Sequence, residues 1–188
     1  YNTESSEHTA EYNPYYIKAK YPELIERFHI PLDEYPRRCR NQIADWEKMQ
    51  KKLVSENVEH VLSHEFGMPI IRAVVNDVPY KIHGNVLNTG LIDNLPQNAC
   101  VEVPCMIDGC GVNPCRVGSL PEQCAALNRT NINVQNMTIE AARTHSKDAV
   151  YMAAYLDPHT AAELSLDDIK SLCDDLFEAH KGWLPEYR

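Results

Sequence analysis

The sequence predicts a single α+β domain that is mostly helical and carries a small antiparallel sheet near its middle. Two observations favour this class. Between residues 80 and 117, apolar and polar residues alternate, which is the two-residue period of half-buried strands. On either side of this stretch, apolar residues recur at three- and four-residue steps, as they do in amphipathic helices. No repeat, low-complexity stretch or linker divides residues 1–188, so we expect one domain.

Ahead of the sheet the sequence predicts an irregular stretch over residues 1–16 and then three helices. The first helix spans Tyr21–Phe28, and the third lies around Phe66–Val74, where Pro69 either opens or kinks it. The second helix runs from Asp33 to about Val58, because one apolar stripe follows the helical period along it. We interpret this stripe of the long predicted helix as core or partner-facing surface, and it consists of Cys39, Ile43, Trp46, Met49 and Leu53.

The predicted sheet has three strands, at Tyr80–Leu87, Cys100–Asp108 and Val112–Val117, and an Asp-Gly-Cys-Gly turn joins the last two. Pro104 cannot donate a hydrogen bond to a neighbouring strand, so we expect the second strand to lie at an edge or to carry a bulge. A polar loop over residues 88–98, held by apolar anchors, separates the first two strands. Such a loop on a rigid scaffold is a good position for a functional site.

Three helices are expected after the sheet. Ser119 and Glu122 have the spacing of a capping box, which starts a helix that continues to about Thr144. Ser146 caps the next helix, and Ser165 begins the last one, which carries an apolar stripe. Three amide side chains share one face of the first of these helices, either as a solvated surface or as the wall of a polar cleft: Asn128, Asn131 and Gln135.

The composition excludes several kinds of partner. The formal net charge of −9 argues against nucleic acid and against an anionic membrane surface. No run of about eighteen apolar residues is present, so we expect no segment to span a bilayer. The seven cysteines are an odd number outside a compact disulfide scaffold, which indicates a reducing, cytoplasmic setting. Four of them recur every five residues, a spacing that alternates strand faces and favours buried thiols over a structural metal.

The chemistry-bearing motifs that the residues alone could reveal are missing from this sequence. It contains no Gly-rich phosphate loop, GxSxG, HExxH or CxxC pattern. Residue patterns therefore lead only to a soluble α+β domain that forms part of a cleft.

Phrases from nearly the whole chain carry a resemblance to a known family. Those at the two ends of the chain are Thr3–His8, Glu11–Tyr15, Asp157–Ala162 and Trp183–Pro185. Those in between are Leu24–Arg27, Pro31–Pro36, Gly84–Asn88, Gly90–Pro96, Val101–Pro104 and Thr130–Gln135. Together they resemble the C-terminal half of glycoside hydrolase family 4, especially its melibiase-type α-galactosidases.

The resemblance implies an unusual reaction on an α-galactoside, one that differs from the usual two-carboxylate hydrolysis of glycosides. The family uses bound NAD to oxidise the sugar at C3, a tyrosine to remove the C2 proton, and a divalent metal, typically Mn²⁺, to stabilise the resulting enediolate. The C1 substituent is then eliminated, water adds, and the hydride returns to the sugar.

The resemblance also implies that part of the enzyme lies outside this sequence. The family's Rossmann-like N-terminal domain, with its Gly-rich turn, and its Cys and His metal ligands have no counterpart here. The sequence begins without Met, so we expect it to be a C-terminal fragment with no NAD or metal residues of its own, inactive by itself. Its expected partners are its own N-terminal domain and a second copy, as in a homodimer.

The resemblance assigns roles to six residues. Tyr12 is the first candidate for the base, and Tyr15 is the second. Glu7 and His8, near the start, are implied as substrate or metal-shell contacts. In the 88–98 loop, Asn88 and Asn94 are the best polar contacts for the substrate.

Several alternatives stay open at this point. α-Glucosidases and α-uronidases of the family share much of the same wording, whereas the phosphate-binding phrase of the phosphosugar branch is not evident. From other classes, the chain could be a non-catalytic sugar-binding or oligomerisation module, or part of an ordinary NAD oxidoreductase.

Overall fold

The computed structural model describes residues 6–55, 63 and 65–188, and confirms the predicted class, a mostly helical α+β fold with a small antiparallel sheet. Within these residues the helices before the sheet are α1 (Ser6–Tyr12), α2 (Glu23–Arg27), α3 (Glu34–Ser55) and α4 (Gly67–Asn76). The strands are β1 (Tyr80–Leu87), β2 (Cys100–Asp108) and β3 (Gly111–Pro114). The helices after the sheet are α5 (Glu122–Thr144), α6 (Lys147–Leu156), α7 (Pro158–Glu163) and α8 (Leu166–Ala179).

The sheet is antiparallel with the order β1-β2-β3, so β2 is its central strand. The prediction that Pro104 marks an edge strand or a bulge is therefore wrong. Pro104 pairs in register with His83 of β1, and its carbonyl accepts a hydrogen bond from Cys115 N, just past the end of β3. Carbonyl and amide of one residue point to the same side of an antiparallel strand. The missing N–H of Pro104 would therefore point towards Cys115, past the end of β3, so no hydrogen bond between β2 and β3 is lost.

The main core lies between the inner face of β2 and the first half of α5. Every second residue of β2 is buried, which is the alternation that the sequence predicts. Anchors from the 88–98 loop complete the same cluster, and burying each such aliphatic side chain is worth about 1.5–3 kcal/mol. The larger members of the cluster are Leu91, Ile92, Leu95, Val101, Val103, Cys105 and Ile132.

The helix termini show where local sequence decides and where it does not. Ser146 and Ser165 cap α6 and α8 as predicted, each hydroxyl accepting a backbone N–H at 3.2 Å. The capping box predicted at Ser119 and Glu122 is wrong, since Pro121 precedes α5 without a side-chain cap. Pro69 lies in the first turn of α4, where its missing N–H has no intrahelical partner to lose, so it opens the helix.

The start of the chain also differs from the prediction, because residues 6–12 form α1 rather than an irregular stretch. The predicted end of the long helix, at about Val58, lies outside the described part of the chain; α3 is described as far as Ser55. No helix among the described residues is long and apolar enough to cross a membrane. The seven cysteines all lie in the described ranges, and none of them pairs in a disulfide.

Candidate functional site

A cleft of about 460 Å³ opens between α1, the 88–98 loop, the start of β2 and α5. This size suits a small organic ligand. Its apolar lining residues are Ile92, Leu95, Val101, Leu120 and Ile132. Its polar lining residues are Tyr12, Cys100, Glu102, Asn128, Asn131 and Gln135. Polar groups thus converge over an apolar floor, the usual composition of a ligand site.

One wall of the cleft is built by the three side-chain amides of α5, which we call the amide wall: Asn128, Asn131 and Gln135. Steps of three and four residues bring them to one face of the helix, and the polar-cleft interpretation is the one that the structure supports. Each amide offers two donors and a carbonyl acceptor, so the wall can bind the paired hydroxyls of a sugar.

The structure separates the two tyrosines that the resemblance nominates. Tyr12, the last residue of α1, lines the cleft and is 50% exposed. Tyr15 is 62% exposed, does not line the cleft, and meets the ring of Tyr16 edge-on at 6.4 Å. The geometry therefore favours Tyr12 as the residue that can reach a ligand in the cleft.

His8 and Glu7 precede Tyr12 on α1. The His8 ring stacks on the Tyr12 ring, with centroids 6.3 Å apart and planes inclined by 13°. Its Nδ1 lies 3.7 Å from a carboxylate oxygen of Glu11. His8 thus supports the face of Tyr12 and is not among the cleft-lining residues. The side chain of Glu7 lies outside the described part of the chain.

Asn88 is wholly buried, and its amide is fully used by the loop that follows it. Its Nδ2 donates to the carbonyls of Ile92, Leu95 and Pro96 at 2.9, 3.1 and 3.1 Å. Its Oδ1 accepts from the N–H groups of Leu91 and Ile92 at 3.2 and 2.8 Å. No donor or acceptor is left for a sugar, so this geometry favours a role in shaping the loop over the predicted direct contact.

Asn94 likewise joins two parts of the backbone. Its Oδ1 accepts from Leu120 N at 2.9 Å, and its Nδ2 donates to Leu120 O at 2.8 Å. Arg129 donates to the Asn94 carbonyl at 2.6 Å. These contacts fix the loop to the start of α5, which is how the floor of the cleft meets its amide wall.

Glu102 and Cys100 line the cleft and were not predicted as site residues. Both are exposed positions of β2, alternating with buried ones. That alternation was visible in the sequence, but it does not say which ligand or helix an exposed face meets. Glu102 is the acidic side chain that the cleft offers to a polar ligand.

The described residues contain no group of three or more His, Cys, Asp and Glu side chains placed to hold a metal ion. The cleft brings together one carboxylate, one thiol, a phenol and amides. This donor set does not fit the Mn²⁺ site or the nucleotide site that the resemblance implies. We therefore assign neither Mn²⁺ nor NAD to the residues of this cleft.

Comparison with known proteins identifies the family. The profile of the family 4 glycosyl hydrolase C-terminal domain matches residues 1–160. An α-galactosidase of Bacillus subtilis (strain 168) is 62% identical over 189 residues, which cover all of this chain and 44% of that protein. The chain belongs to the family 4 glycosyl hydrolases, and it spans less than half the length of this relative.

Solved structures agree with that assignment. A crystal structure of a candidate glucosidase from Bacillus subtilis matches with a TM-score of 0.77 and 25% identity, over 90% of this chain and 38% of that one. A 6-phospho-α-glucosidase from gut microorganisms, solved in complex with NAD and glucose-6-phosphate, matches with a TM-score of 0.63 and 29% identity. That match covers 74% of this chain and 32% of the other.

Proposed function

We propose that this chain is the C-terminal, substrate-side domain of an NAD- and Mn²⁺-dependent α-galactosidase, and that the cleft receives the galactosyl ring. One observation carries the proposal: Tyr12 and the amide wall line the same cleft. The 62% identity between this chain and an α-galactosidase supports the choice of an α-galactoside as substrate. The NAD and Mn²⁺ are proposed to be held by residues outside this chain.

The lining residues divide the work of binding and chemistry. The apolar floor packs against the C–H face of a sugar ring, while the amide wall and Glu102 bind its hydroxyl groups. Tyr12 acts as the general base that removes the proton from C2.

The test uses the protein at the length of its relatives, supplied with NAD and Mn²⁺. We expect hydrolysis of an aryl α-galactoside that stops on chelation and gives no net NADH. Net NADH production would instead indicate an ordinary NAD oxidoreductase, and absence of any turnover would indicate a non-catalytic sugar-binding or oligomerisation module. The 188-residue chain by itself is expected to be inactive and to give no heat with NAD in calorimetry.

Substrate choice within the family needs a second measurement. An α-galactoside, an α-glucoside and an α-galacturonide differ only at O4 and C6, so their kcat/KM ratios report contacts at those positions. We expect the α-galactoside to be the best of the three. A preference for the glucoside or the uronide would reassign the chain within the same family.

We also propose that the chain associates with a second copy. The α3 stripe is largely exposed, with Ile43, Trp46, Met49 and Leu53 each more than half accessible. α4 exposes Met68, Ile71 and Val75, and two of these, Met68 and Ile71, line an apolar cavity of about 840 Å³. Exposed apolar surface of this kind is typical of a protein contact.

A further inference from the structure

The position of Tyr12 over the cleft depends on how α1 is held against the body of the fold. α1 has only seven residues, and an isolated helix of that length is not stable in water. In the described part of the chain, α1 packs against α7. Ala10 of α1 is almost completely buried. The contact of α1 with α7 therefore contributes to the position of the Tyr12 ring.

Glu163, the last residue of α7, adds a polar contact to the segment that follows α1. Its Oε1 lies 3.0 Å from Lys18 Nζ, and its Oε2 accepts a hydrogen bond from Ala19 N at 3.2 Å. The two charged side chains are only 25% and 22% exposed. Hydrogen bonds from Lys18 and then from the Ala19 amide hold the pKa of the Glu163 carboxyl below its ordinary value.

The other end of this contact is anchored in the main body. Asp157 caps α7, its Oδ1 accepting from Thr160 N at 2.7 Å, and the helix also packs on α6 and α8. Glu163 thus connects α7, which packs on α6 and α8, to the backbone of Ala19, seven residues after Tyr12. Glu163 itself does not line the cleft.

The geometry points to Glu163 as a positioning residue for Tyr12: its carboxylate clamps residues 18–19 onto α7 and so fixes the phenol in the cleft. This inference rests on the proposed role of Tyr12 as base. A misplacement of about 1 Å can cost on the order of 10²-fold in rate, so the clamp matters even though it touches no substrate.

The first arm of the test measures amide hydrogen exchange in the 188-residue chain. E163A is expected to speed exchange across residues 6–20 and to leave β1, β2, α6 and α8 unchanged. E163Q keeps an oxygen for Ala19 N but loses the negative charge that faces Lys18, so we expect an intermediate effect. E178A is the matched control, because Glu178 forms an exposed ion pair with Lys181 at 3.4 Å on the surface.

The second arm measures kinetics in the protein of full length. We expect E163A to lower kcat by about 10²-fold with little change in KM, because the amide wall that binds the sugar is untouched. E178A should behave as the unaltered protein. In a Tyr12→Phe background, E163A should cause no further loss, since residues that act as a unit are not additive.

Two results would overturn the inference. One is faster exchange spread over the whole domain, which would make Glu163 a general stabilising residue. The other is an E163A loss of kcat that is equally large in the Tyr12→Phe background. If the unaltered full-length protein shows no hydrolysis, the proposed function fails, while the exchange arm still decides whether the clamp holds α1.

Discussion

At the scale of single residues, the two tyrosines give the sharpest prediction. In the full-length protein, Tyr12→Phe should lower kcat by about 10²–10⁴-fold, the usual contribution of a general base. NAD affinity and fold should be kept, because only a hydroxyl is removed. Tyr15→Phe is the matched comparison and should retain most of the turnover, since Tyr15 does not line the cleft. Steady-state kinetics on an aryl α-galactoside measures both.

Solvent exchange identifies the step that Tyr12 serves. In deuterated water the unaltered protein should place deuterium at C2 of the product sugar. Normal turnover with C2 deuteration in Tyr12→Phe, together with a large loss in Tyr15→Phe, would assign the base to Tyr15 instead.

Asn88 leads to a prediction about stability. Asn88→Ala leaves buried N–H and carbonyl groups of the 88–98 loop without partners, and each such group costs about 1–3 kcal/mol. We expect the free energy of unfolding to fall by about 3 kcal/mol in urea titrations. Asn98→Ala is the control in the same loop, because Asn98 is exposed and makes one bond of 3.4 Å, so about 0.5 kcal/mol or less is expected. Equal effects of the two changes would contradict the role given to Asn88.

Residue roles were the part of the site least accessible from sequence. An Asn in a polar loop fits a sugar contact as well as a backbone contact, and only the fold of the loop shows that Asn88 is buried. The amide wall was different, because helical spacing alone aligned its three side chains. The spacing does not show which element of the fold faces these side chains.

At the scale of elements, an ion cluster joins α6 to α8. Asp174 of α8 accepts a hydrogen bond from Tyr151 of α6 at 2.5 Å and lies 2.6 and 3.0 Å from Lys147 and Lys170. Hydrogen bonds from Lys147, then Tyr151 and Lys170, hold the pKa of Asp174 well below its ordinary value. The same contacts raise the pKa of both lysines.

The sign of these shifts predicts a pH dependence. A carboxyl whose pKa is depressed by folding stabilises the fold fully above its unfolded pKa of about 3.9, and that contribution falls as the pH drops through the folded value. Asp174→Asn should therefore lower Tm at pH 7, and its deficit should shrink progressively below about pH 5. Thermal unfolding followed by circular dichroism measures the difference. A deficit that stays constant down to pH 2 would assign the effect to packing.

Element bounds could be predicted wherever one local period dominated. The alternation over β1 and β2 and the stripe of α8 needed no knowledge of neighbours. The predictions of an edge strand or bulge at Pro104 and of a capping box at Ser119 were wrong for the same physical reason. In both places the hydrogen bonds depend on segments that are distant in sequence. Because β3 ends before the position opposite Pro104, the missing N–H of Pro104 costs β3 no ladder hydrogen bond. Just ahead of α5, the side chain of Asn94 bonds both the N–H and the carbonyl of Leu120.

At the scale of the whole molecule, the candidate site is a product of tertiary structure. Tyr12 and the amide wall are more than a hundred residues apart in sequence. α1, which carries Tyr12, packs against α7, a helix near the C-terminal end of this sequence. The family resemblance nominated Tyr12 and helical spacing aligned the amide wall, whereas the fold shows that both line one cleft.

The exposed α3 stripe carries the last prediction, which concerns self-association. A monomer with this much contiguous apolar surface is unfavourable in water, so we expect light scattering at micromolar concentration to give a mass above 21.4 kDa. Replacing Trp46 and Met49 together by Gln should shift the chain towards the monomer, because both side chains are more than half exposed within the stripe. Replacing Lys48 and Lys51 by Gln changes the same helix off the stripe, and should leave the mass unaltered. A clean 21.4 kDa monomer for the unaltered chain, or an equal shift in both double variants, would remove α3 as the contact surface.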